Sequence, residues 1–580
     1  MQPAAADSSP SPTNAPSGSS PTHAAHVEPP IGHTIKETVT SIIISFVLAF
    51  VFRGFVIEAY LIPTGSMAPT LLGAHMRFRS PESSYSWAVG PWDVMGDGIT
   101  PLPYQGGPPV AVGDSGTISS SNAEPIRVHD PMTGQELSGQ GIKTRWGDRI
   151  FVLKYLYSIF DPQRFDVVVF RNPRDPSVNY IKRLIGLPGE MIAIVDGDVF
   201  ARKPRPDDDP AANPWGLAGW SICRKPGSAQ AVMWQQMFSS EYTPLNATNA
   251  QGQRWFLSPW VGVGTGPEGT DWEIEGRRTY SYTGTGLTRL MWNTRERPIT
   301  DALAYNESPR RASLEYPVSD IRVSMGITPT TAQQRVSAVL EARGHSFKID
   351  VSPTGISMSM GVGAGDEVAF ISMPVEVTGT MELTPGKTTQ LDFWFVDQSL
   401  SVWSGGNRIA TAVYEWTPQE RVRSATGASL EDLERGPEYL TYEANYVRPQ
   451  FFLEFEGAAF ELAAVSMYRD VHYQADMYQY HSGDDNSVHS LARQPALTTH
   501  PLNTPTLTRD EFFTCGDNSA QSLDGRLWDR PNPWVRKIDD RTGVVHRDLL
   551  IGKAFYVYFP APFNAGRLPI PDFGRMRLIR

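Results

Sequence analysis

The sequence predicts a mainly β protein that has one N-terminal transmembrane helix, an antiparallel β core and a large inserted β-rich domain. The chain has 580 residues with 50 Gly, 48 Pro, 26 Phe, 21 Tyr and 15 Trp. Such a composition favours short strands joined by turns, because Gly and Pro weaken helix interiors while aromatic residues suit strands. A chain of this length holds at least two hydrophobic cores.

The charge balance and the metal-binding residue types exclude several classes of function. The formal net charge is −11 and no basic block occurs, which argues against nucleic acid as a partner. The two cysteines, Cys223 and Cys515, are too few for a disulfide framework or a thiolate zinc site. The 11 histidines have no metal-ligand spacing, so we expect no metal and no other cofactor.

The N-terminal region predicts a disordered tail followed by a membrane anchor. Residues 1–33 are rich in Pro, Ser and Ala and have few large apolar side chains to offset the entropy of ordering. Residues 34–59 contain a dense apolar run, uncharged from Thr38 to Phe52, that Arg53 can extend by reaching toward the lipid headgroups. A buried core helix and a cleaved secretory peptide are the alternatives. Lys36 and Arg53 flank the run, so charge does not set the orientation.

Three segments after the apolar run carry polar residues in settings that suggest chemistry. Pro63, Gly65 and Pro69 predict a rigid turn that presents the Ser66 hydroxyl, although a serine there is commonly only a turn residue. Residues 165–170 and 180–185 predict a hairpin with Lys182 between the apolar Ile181 and Leu184. In the third segment, residues 512–528, the two-residue spacing puts Asp524 and Arg526 on one face of an extended strand, where they can form an ion pair.

Six motifs in order resemble those of the type I signal peptidases, membrane-anchored Ser–Lys proteases that remove signal peptides. They follow the apolar run and read PTGSMAPTL (63–71), GDRIFVLK (147–154), FDVVVF (165–170), YIKRLIGLPGE (180–190), GDNSAQSLDGR (516–526) and IGKAFYVYFP (551–560). Each motif alone is weak evidence, whereas six in the same order make coincidence negligible.

The resemblance implies a role for each matching residue. Ser66 would be the nucleophile and Lys182 the general base, with its amine kept neutral by burial. Ser522 would orient the lysine, and the Thr64 hydroxyl would join the Ser66 backbone N–H in the oxyanion hole. The pockets for small substrate side chains would be lined by Tyr60, Ile62, Leu71, Tyr180 and Ile181. The site would be held together by Arg183, Asp517, Asp524 and Arg526.

The resemblance also implies partners and a location. The substrates would be pre-proteins that carry signal peptides ending in Ala-x-Ala, and the other partner would be the lipid bilayer. The protein would cross the bacterial cytoplasmic (inner) membrane once, with its catalytic domain on the outer, periplasmic side. A self-cleaving repressor-type Ser–Lys protease and a membrane-tethered binding protein with an inactive site are the rival interpretations.

Two insertions divide the predicted catalytic core into residues 60–72, 143–201 and 506–580. Residues 73–142 are rich in Gly, Pro and Ser and predict an irregular insertion. Residues 202–505 contain regular strand and turn patterns that resemble concanavalin-like, laminin-G-type sandwiches. Glycan binding, protein binding and an inert sandwich all stay open for this domain. The acidic runs 207–209 and 483–487 lack complete ligand loops and predict solvated loops.

Overall fold

The computed structural model describes residues 31–90, 126–139, 144–246, 248, 258–264, 271–307, 315–480, 492–565 and 568–580. Most of the predicted disordered tail, up to residue 30, and the acidic run 483–487 lie outside these residues. The chain forms two compact units, Met1–Val56 and Ile57–Arg580.

The first unit contains one long apolar helix. An α-helix covers Ile31–Val51 and continues as a π-helical segment, Phe52–Val56. The part Lys36–Val56 spans 21 residues, has a mean hydropathy of 2.2 and is not buried within the protein. By length and composition it can cross a membrane. The helix begins before residue 34 and ends at Val56, so Ile57–Ala59, predicted as the end of the anchor, instead open the first strand.

Eight strands from three distant parts of the chain form an antiparallel sheet, called here the site sheet. Its strands, in spatial order, are Ile57–Leu61, Arg149–Leu153, Leu550–Phe559, Val167–Arg171, Asn179–Gly186, Glu511–Cys515 and Val545–His546, and Arg577–Leu578 pairs with Leu550–Phe559. β-branched and aromatic residues dominate its central strands, which are buried on both faces, as in Val167–Arg171. The predicted antiparallel β core is thereby confirmed.

The strands that follow the predicted lysine hairpin leave the site sheet. Met191–Val195, Asp198–Arg202 and Ser221–Ile222 form a separate three-stranded sheet. Apolar residues of this sheet pack on residues of the inserted domain, for example Phe200 with Trp215 and Leu433 in one buried cluster. Residues 191–201, which we had expected in the core sheet, thus join the core to the insertion.

The insertion folds as a β sandwich, as the sequence predicted. The nine-stranded sheet contains Trp272–Glu273, Thr279–Tyr282, Phe460–Arg469, Ile321–Pro329, Thr389–Val396, Ser399–Ser404, Asn407–Val413 and Glu376–Val377, with Gln235–Ser239 paired to Phe460–Arg469. The seven-stranded sheet contains Trp260–Val263, Gly286–Trp292, Gln450–Gly457, Arg335–Ala342, His345–Ser352, Gly355–Val362 and Ile371–Ser372. One buried apolar cluster unites both sheets, with Phe393 from the first and Leu453 from the second.

The described part of residues 73–142 is not irregular. Ser86–Val89, His75–Arg79 and Thr144–Arg145 form one small sheet, and Ile126–His129 pairs with Glu136–Gly139. Alternating apolar side chains on these strands, among them Met76, Phe78 and Trp87, build a small core of their own. The sequence did not reveal these strands because they are only four or five residues long and lie in a stretch rich in Gly, Pro and Ser.

Short helices and hairpins complete the second unit. The helices are Leu156–Ile159, Gly227–Met233, Pro418–Thr426 and Leu430–Arg435, and the hairpins are Met477–Tyr480 with Ala492–Pro495 and Phe563–Ala565 with Leu568–Ile570.

Candidate active site

Ser66 lies in a tight turn directly after the first strand of the site sheet. A single 3₁₀ turn covers Gly65–Met67, and the N–H of Ala68 donates to Gly65 O at 2.9 Å. The N–H of Ala74 donates to Pro63 O at 3.1 Å and closes the loop that contains the turn. Ser66 is 8% exposed, so its hydroxyl lies near the surface in a largely dry setting.

Lys182 lies on a central strand of the site sheet. The strand Asn179–Gly186 runs between Val167–Arg171 and Glu511–Cys515. Because side chains alternate along a strand, Lys182 shares its face with Tyr180 and Leu184, while Ile181 lies on the opposite face. The Lys182 Nζ is 5.4 Å from the centre of the Tyr180 ring. Strand alternation therefore puts Leu184, rather than Ile181, on the same face as the Lys182 amine.

The structure brings the two predicted catalytic side chains into direct contact. Lys182 Nζ donates to Ser66 Oγ at 2.6 Å, and Lys182 is only 4% exposed. Burial lowers the pKa of Lys182 to about 8, although the Asp524 carboxylate opposes this shift. At pH 7 about one amine in ten is then neutral, against roughly one in 2,500 for an ordinary lysine with a pKa near 10.4. A neutral amine at hydrogen-bond distance can accept the proton of the hydroxyl.

The loop after Glu511–Cys515 holds the serine turn through its backbone. The N–H of Asn518 donates to Ser66 O at 3.0 Å, and Asn518 Nδ2 donates to Gly65 O at 3.0 Å. A Cβ atom on Gly516 would lie 2.4 Å from Ser66 O and 2.3 Å from Ser522 Oγ. Only glycine permits this approach of the loop to the turn.

Ser522 lies beside the site, but its hydroxyl is not joined to the lysine. It is 3% exposed, and Ser522 Oγ has no hydrogen-bond partner among the residues that the structure describes. A buried hydroxyl without a partner is unfavourable by about 1–3 kcal/mol, so this group is free to form a further hydrogen bond.

Two buried ion pairs lie next to the Ser66–Lys182 pair. Arg183 binds Asp517 through Nε at 2.7 Å and Nη2 at 2.6 Å, and Thr70 Oγ1 donates to the same carboxylate at 2.6 Å. Asp524 accepts from Arg526 Nε and Nη2 at 2.9 Å each and from the Gly516 N–H at 2.9 Å. Burial alone would raise the pKa of Asp524, but Arg526, the Gly516 N–H and Lys182 together outweigh burial and lower the pKa. The four residues that the resemblance gave as structural support therefore form two buried ion pairs next to Ser66 and Lys182.

Thr64 directly precedes the turn, in extended conformation with φ −116° and ψ 161°. It is half-buried, and its side chain does not hydrogen-bond to the N–H groups of the turn. The hydroxyl is thus not committed to capping the turn.

The predicted pocket residues fall into two groups. Ile62 and Leu71 are 3% and 0% exposed and belong to the packed core of the site sheet. Tyr60, Tyr180 and Ile181 are half-buried at the surface, and Tyr60 OH donates to Glu58 Oε2 at 2.8 Å. The second group therefore keeps part of its side-chain surface exposed.

A cluster of buried acids lies outside this site, between the three-stranded sheet and the sandwich. Carboxylate oxygens of Asp198, Asp320, Asp397 and Asp470 lie within 4.8 Å of one another. Side-chain cations already bind them: Lys225 bridges Asp397 and Asp470, Arg343 binds Asp320 at 2.5 Å and Arg421 binds Asp198 at 2.5 Å. We interpret the cluster as an ion-pair network that connects the three-stranded sheet to the sandwich.

Several residues near Ser66 were not singled out from the sequence. Thr70, Gly516 and Asn518 lie inside the six motifs, so their place in a motif was a signal that could have found them. Tyr305 and Asn306 also contact this region, Tyr305 through its OH to Ala74 O at 2.7 Å and Asn306 through Asn518. They lie about 240 positions from Ser66 and outside all six motifs, so nothing in the sequence marked them.

Part of this chain is similar in sequence to known proteins. Residues 142–207 match the family described as signal peptidase, peptidase S26. Signal peptidase I of Pseudomonas fluorescens is 53% identical over 69 residues, which cover 10% of this chain and 24% of that protein. Signal peptidase I of Rickettsia typhi is 27% identical over 167 residues, covering 29% of this chain and 43% of that protein.

Among solved structures, carbohydrate-binding module CBM66 from Bacillus subtilis is 9% identical to this chain. The match covers 36% of this chain and 96% of that chain and has a TM-score of 0.20.

The match to the two signal peptidases spans less than half of their lengths. Residues 142–207, the segment that carries Lys182, are thus similar to the signal peptidases of peptidase family S26.

Proposed function

We propose that this protein is a membrane-anchored serine endopeptidase that removes signal peptides from exported pre-proteins. The observation that carries the proposal is the 2.6 Å hydrogen bond between Lys182 Nζ and Ser66 Oγ in a buried setting. The motif order and the relatives named as signal peptidase I support the choice of substrate.

The first step is acylation of Ser66. The neutral Lys182 amine takes the Ser66 proton as Ser66 Oγ attacks the carbonyl carbon of the scissile bond. The negative charge on the carbonyl oxygen is stabilised by the Ser66 backbone N–H and the Thr64 hydroxyl. The lysine ammonium then gives its proton to the leaving amine, and the C–N bond breaks. The signal peptide remains as an ester on Ser66.

Deacylation repeats the proton transfer with water. Lys182 accepts a proton from a water molecule, whose oxygen attacks the ester carbon, and returns the proton to Ser66 Oγ as the ester bond breaks. Ser522 is the candidate to orient the amine between the two steps, because its buried hydroxyl has no other partner in the described residues.

The substrate would bind as an added strand. Ile57–Leu61 lies at one edge of the site sheet and pairs with Arg149–Leu153 on its other side. Main-chain pairing at a sheet edge recognises an extended peptide, and small pockets near Tyr60, Tyr180 and Ile181 would select Ala-x-Ala. The helix Lys36–Val56 would anchor the protein in the bacterial cytoplasmic membrane, with the catalytic unit on the outer side.

Cleavage of a pre-protein whose signal peptide ends in Ala-x-Ala tests this function. Purified full chain in detergent micelles should cut after the second alanine. Ser66→Ala and Lys182→Ala should each lower kcat by about 10³-fold or more. Ser404→Ala and Lys348→Ala, which alter the same residue types in the sandwich, are the matched controls and should keep wild-type activity. Equal activity in all five proteins would reject the Ser–Lys site.

A further inference from the structure

Two neighbouring residues of the inserted domain reach the turn that carries Ser66. Tyr305 and Asn306 belong to the short helical turn Ala304–Asn306 and lie outside every motif of the catalytic core. We infer that they are positioning residues for the nucleophile, so that the insertion completes the protease site. The inference rests on the proposed function and assigns part of it to the insertion.

Asn306 sets the orientation of another amide, that of Asn518. Asn306 Nδ2 donates to Asn518 Oδ1 at 2.7 Å, and Asn518 Nδ2 donates to Asn306 Oδ1 at 2.7 Å. The second hydrogen on Asn518 Nδ2 donates to Gly65 O at 3.0 Å. A flipped Asn518 amide would place two oxygens together at Gly65 and lose both bonds to Asn306. The reciprocal pair therefore keeps the donor end of Asn518 toward Gly65.

The bond to Gly65 O controls the donor that the mechanism needs. Gly65 C=O and Ser66 N–H belong to one planar trans peptide and point in opposite directions. An amide that holds Gly65 O therefore also holds the direction of the Ser66 N–H. The Asn518 N–H bonds Ser66 O at 3.0 Å and fixes the following peptide in the same way.

The Tyr305 ring packs against the turn that contains Ser66. A Cβ atom on Gly65 would lie 2.0 Å from Tyr305 Cε1, so the ring is in direct contact with the glycine. Tyr305 is 4% exposed, and its OH donates to Ala74 O at 2.7 Å, at the end of the loop that Ala74 closes with Pro63. The ring thus limits movement of the turn.

This arrangement predicts a defect in the chemical step alone. A misdirected Ser66 N–H weakens binding of the oxyanion, which forms only in the transition state, and therefore lowers kcat rather than raising KM. The Lys182 surroundings stay unchanged, so the midpoint of the pH–rate profile should not move.

Steady-state kinetics of the full chain in micelles test the inference with the pre-protein substrate. Asn306→Ala should lower kcat by about 10–100-fold, with KM changed by less than about 3-fold and the pH midpoint unaltered. Asn306→Asp should be at least as impaired, because its carboxylate repels Asn518 Oδ1. Tyr305→Phe, which keeps the ring, should be milder than Tyr305→Ala.

Matched controls come from the same domain. Asn445 Nδ2 donates to Tyr439 O at 2.7 Å, and Tyr446 OH donates to Leu440 O at 3.0 Å. Asn445→Ala and Tyr446→Phe remove comparable bonds elsewhere in the insertion and should leave kcat unchanged. Equal kcat for Asn306→Ala and Asn445→Ala would overturn the inference, and so would a defect that appears only as a lower thermal midpoint.

A double variant tests the route through Asn518. If Asn306 acts only by orienting Asn518, Asn306→Ala combined with Asn518→Ala should be no slower than Asn518→Ala alone. Independent, additive losses would contradict the inference.

Labelling of Ser66 by a fluorophosphonate separates this inference from the proposed function. A wild-type chain that is labelled at Ser66 but cuts no signal peptide would reject the substrate, and slower labelling of Asn306→Ala would still support the positioning role. Equal labelling rates in the two proteins, or no labelling of Ser66 in either, would overturn the positioning role of Asn306.

Discussion

Lys182 combines a buried position with a group that is charged in ordinary surroundings. Its pKa is lowered from 10.5 to about 8, chiefly by burial. The unfolded chain therefore binds a proton more tightly than the folded chain, which lowers stability. The penalty is complete below pH 8 and is relieved as the pH rises from about 8 to 10.5. The lowered pKa that the proposed mechanism requires of Lys182 thus has a cost in folding free energy.

Replacing the amine by an apolar chain of similar length should reverse that cost. We expect Lys182→Met to be inactive and yet more stable than the wild type at pH 7, by up to about 3 kcal/mol. Chemical denaturation of the full chain at pH 7 and pH 10 measures the difference, which should shrink at the higher pH. A variant that is less stable than the wild type at both pH values would contradict the assigned burial penalty.

Thr64 offers a second test at the scale of one residue. Thr64→Val removes the proposed oxyanion donor and keeps the shape, so kcat should fall by about 10²–10³-fold. Thr64→Ser keeps the hydroxyl and should stay within about 10-fold of the wild type. Steady-state rates on the pre-protein substrate distinguish the two, and full activity of Thr64→Val would remove Thr64 from the mechanism.

The serine turn and the lysine strand are separate elements that a buried ion pair holds in register. Arg183 follows Lys182 in the strand, and its partner Asp517 also accepts the Thr70 hydroxyl from the loop after Ser66. Arg183 and Asp517 side chains are both 0% exposed, so the charges are screened little by solvent. The pair thus connects the loop after Ser66 to the strand of Lys182, and the Lys182 Nζ lies 2.6 Å from Ser66 Oγ.

Breaking the link should destabilise the protein strongly. Asp517→Asn leaves the Arg183 guanidinium buried without a counter-charge, and we expect a loss of about 3–5 kcal/mol in the free energy of unfolding. Glu273→Gln, which breaks the exposed pair with Arg277, should change it by less than about 1 kcal/mol. Equal effects of the two substitutions in chemical denaturation would refute the role of the buried pair.

Local patterns predicted the elements better than the contacts between them. Turn residues around Ser66 and the β-rich runs that form the Lys182 hairpin are local features, and both elements form where they were expected. Strand alternation also explains why Tyr180 rather than Ile181 shares the face of the amine. The short strands within residues 73–142 were missed because their alternation is too brief to rise above a Gly- and Pro-rich background.

At the scale of the whole molecule, the insertion contacts both the loop that holds the serine turn and the three-stranded sheet. Asn306 contacts Asn518, and Arg421 in the insertion binds Asp198 of the three-stranded sheet. Contacts of this kind join residues more than 200 positions apart, and no local pattern encodes them. The sandwich was predictable from its strand and turn spacing, whereas its attachment to the serine turn was not.

The division of the chain at Val56 predicts that the second unit works without the helix. A chain of residues 57–580 keeps every strand of the site sheet, so it should fold and cleave a soluble signal peptide with an unchanged kcat. Processing of pre-proteins embedded in lipid vesicles should fall at least about 10-fold, because the enzyme is no longer concentrated at the membrane. Equal processing of embedded substrate by both chains would argue against an anchoring role.

The pH dependence of kcat/KM tests the central claim most directly, since it reports the ionisation of the free enzyme. Measured on the full chain between pH 6 and pH 10, kcat/KM should rise about tenfold per pH unit at first and level off above a midpoint near 8. A midpoint above 10, or a rate that falls with pH across this range, would show that Lys182 is not the neutral base of Ser66.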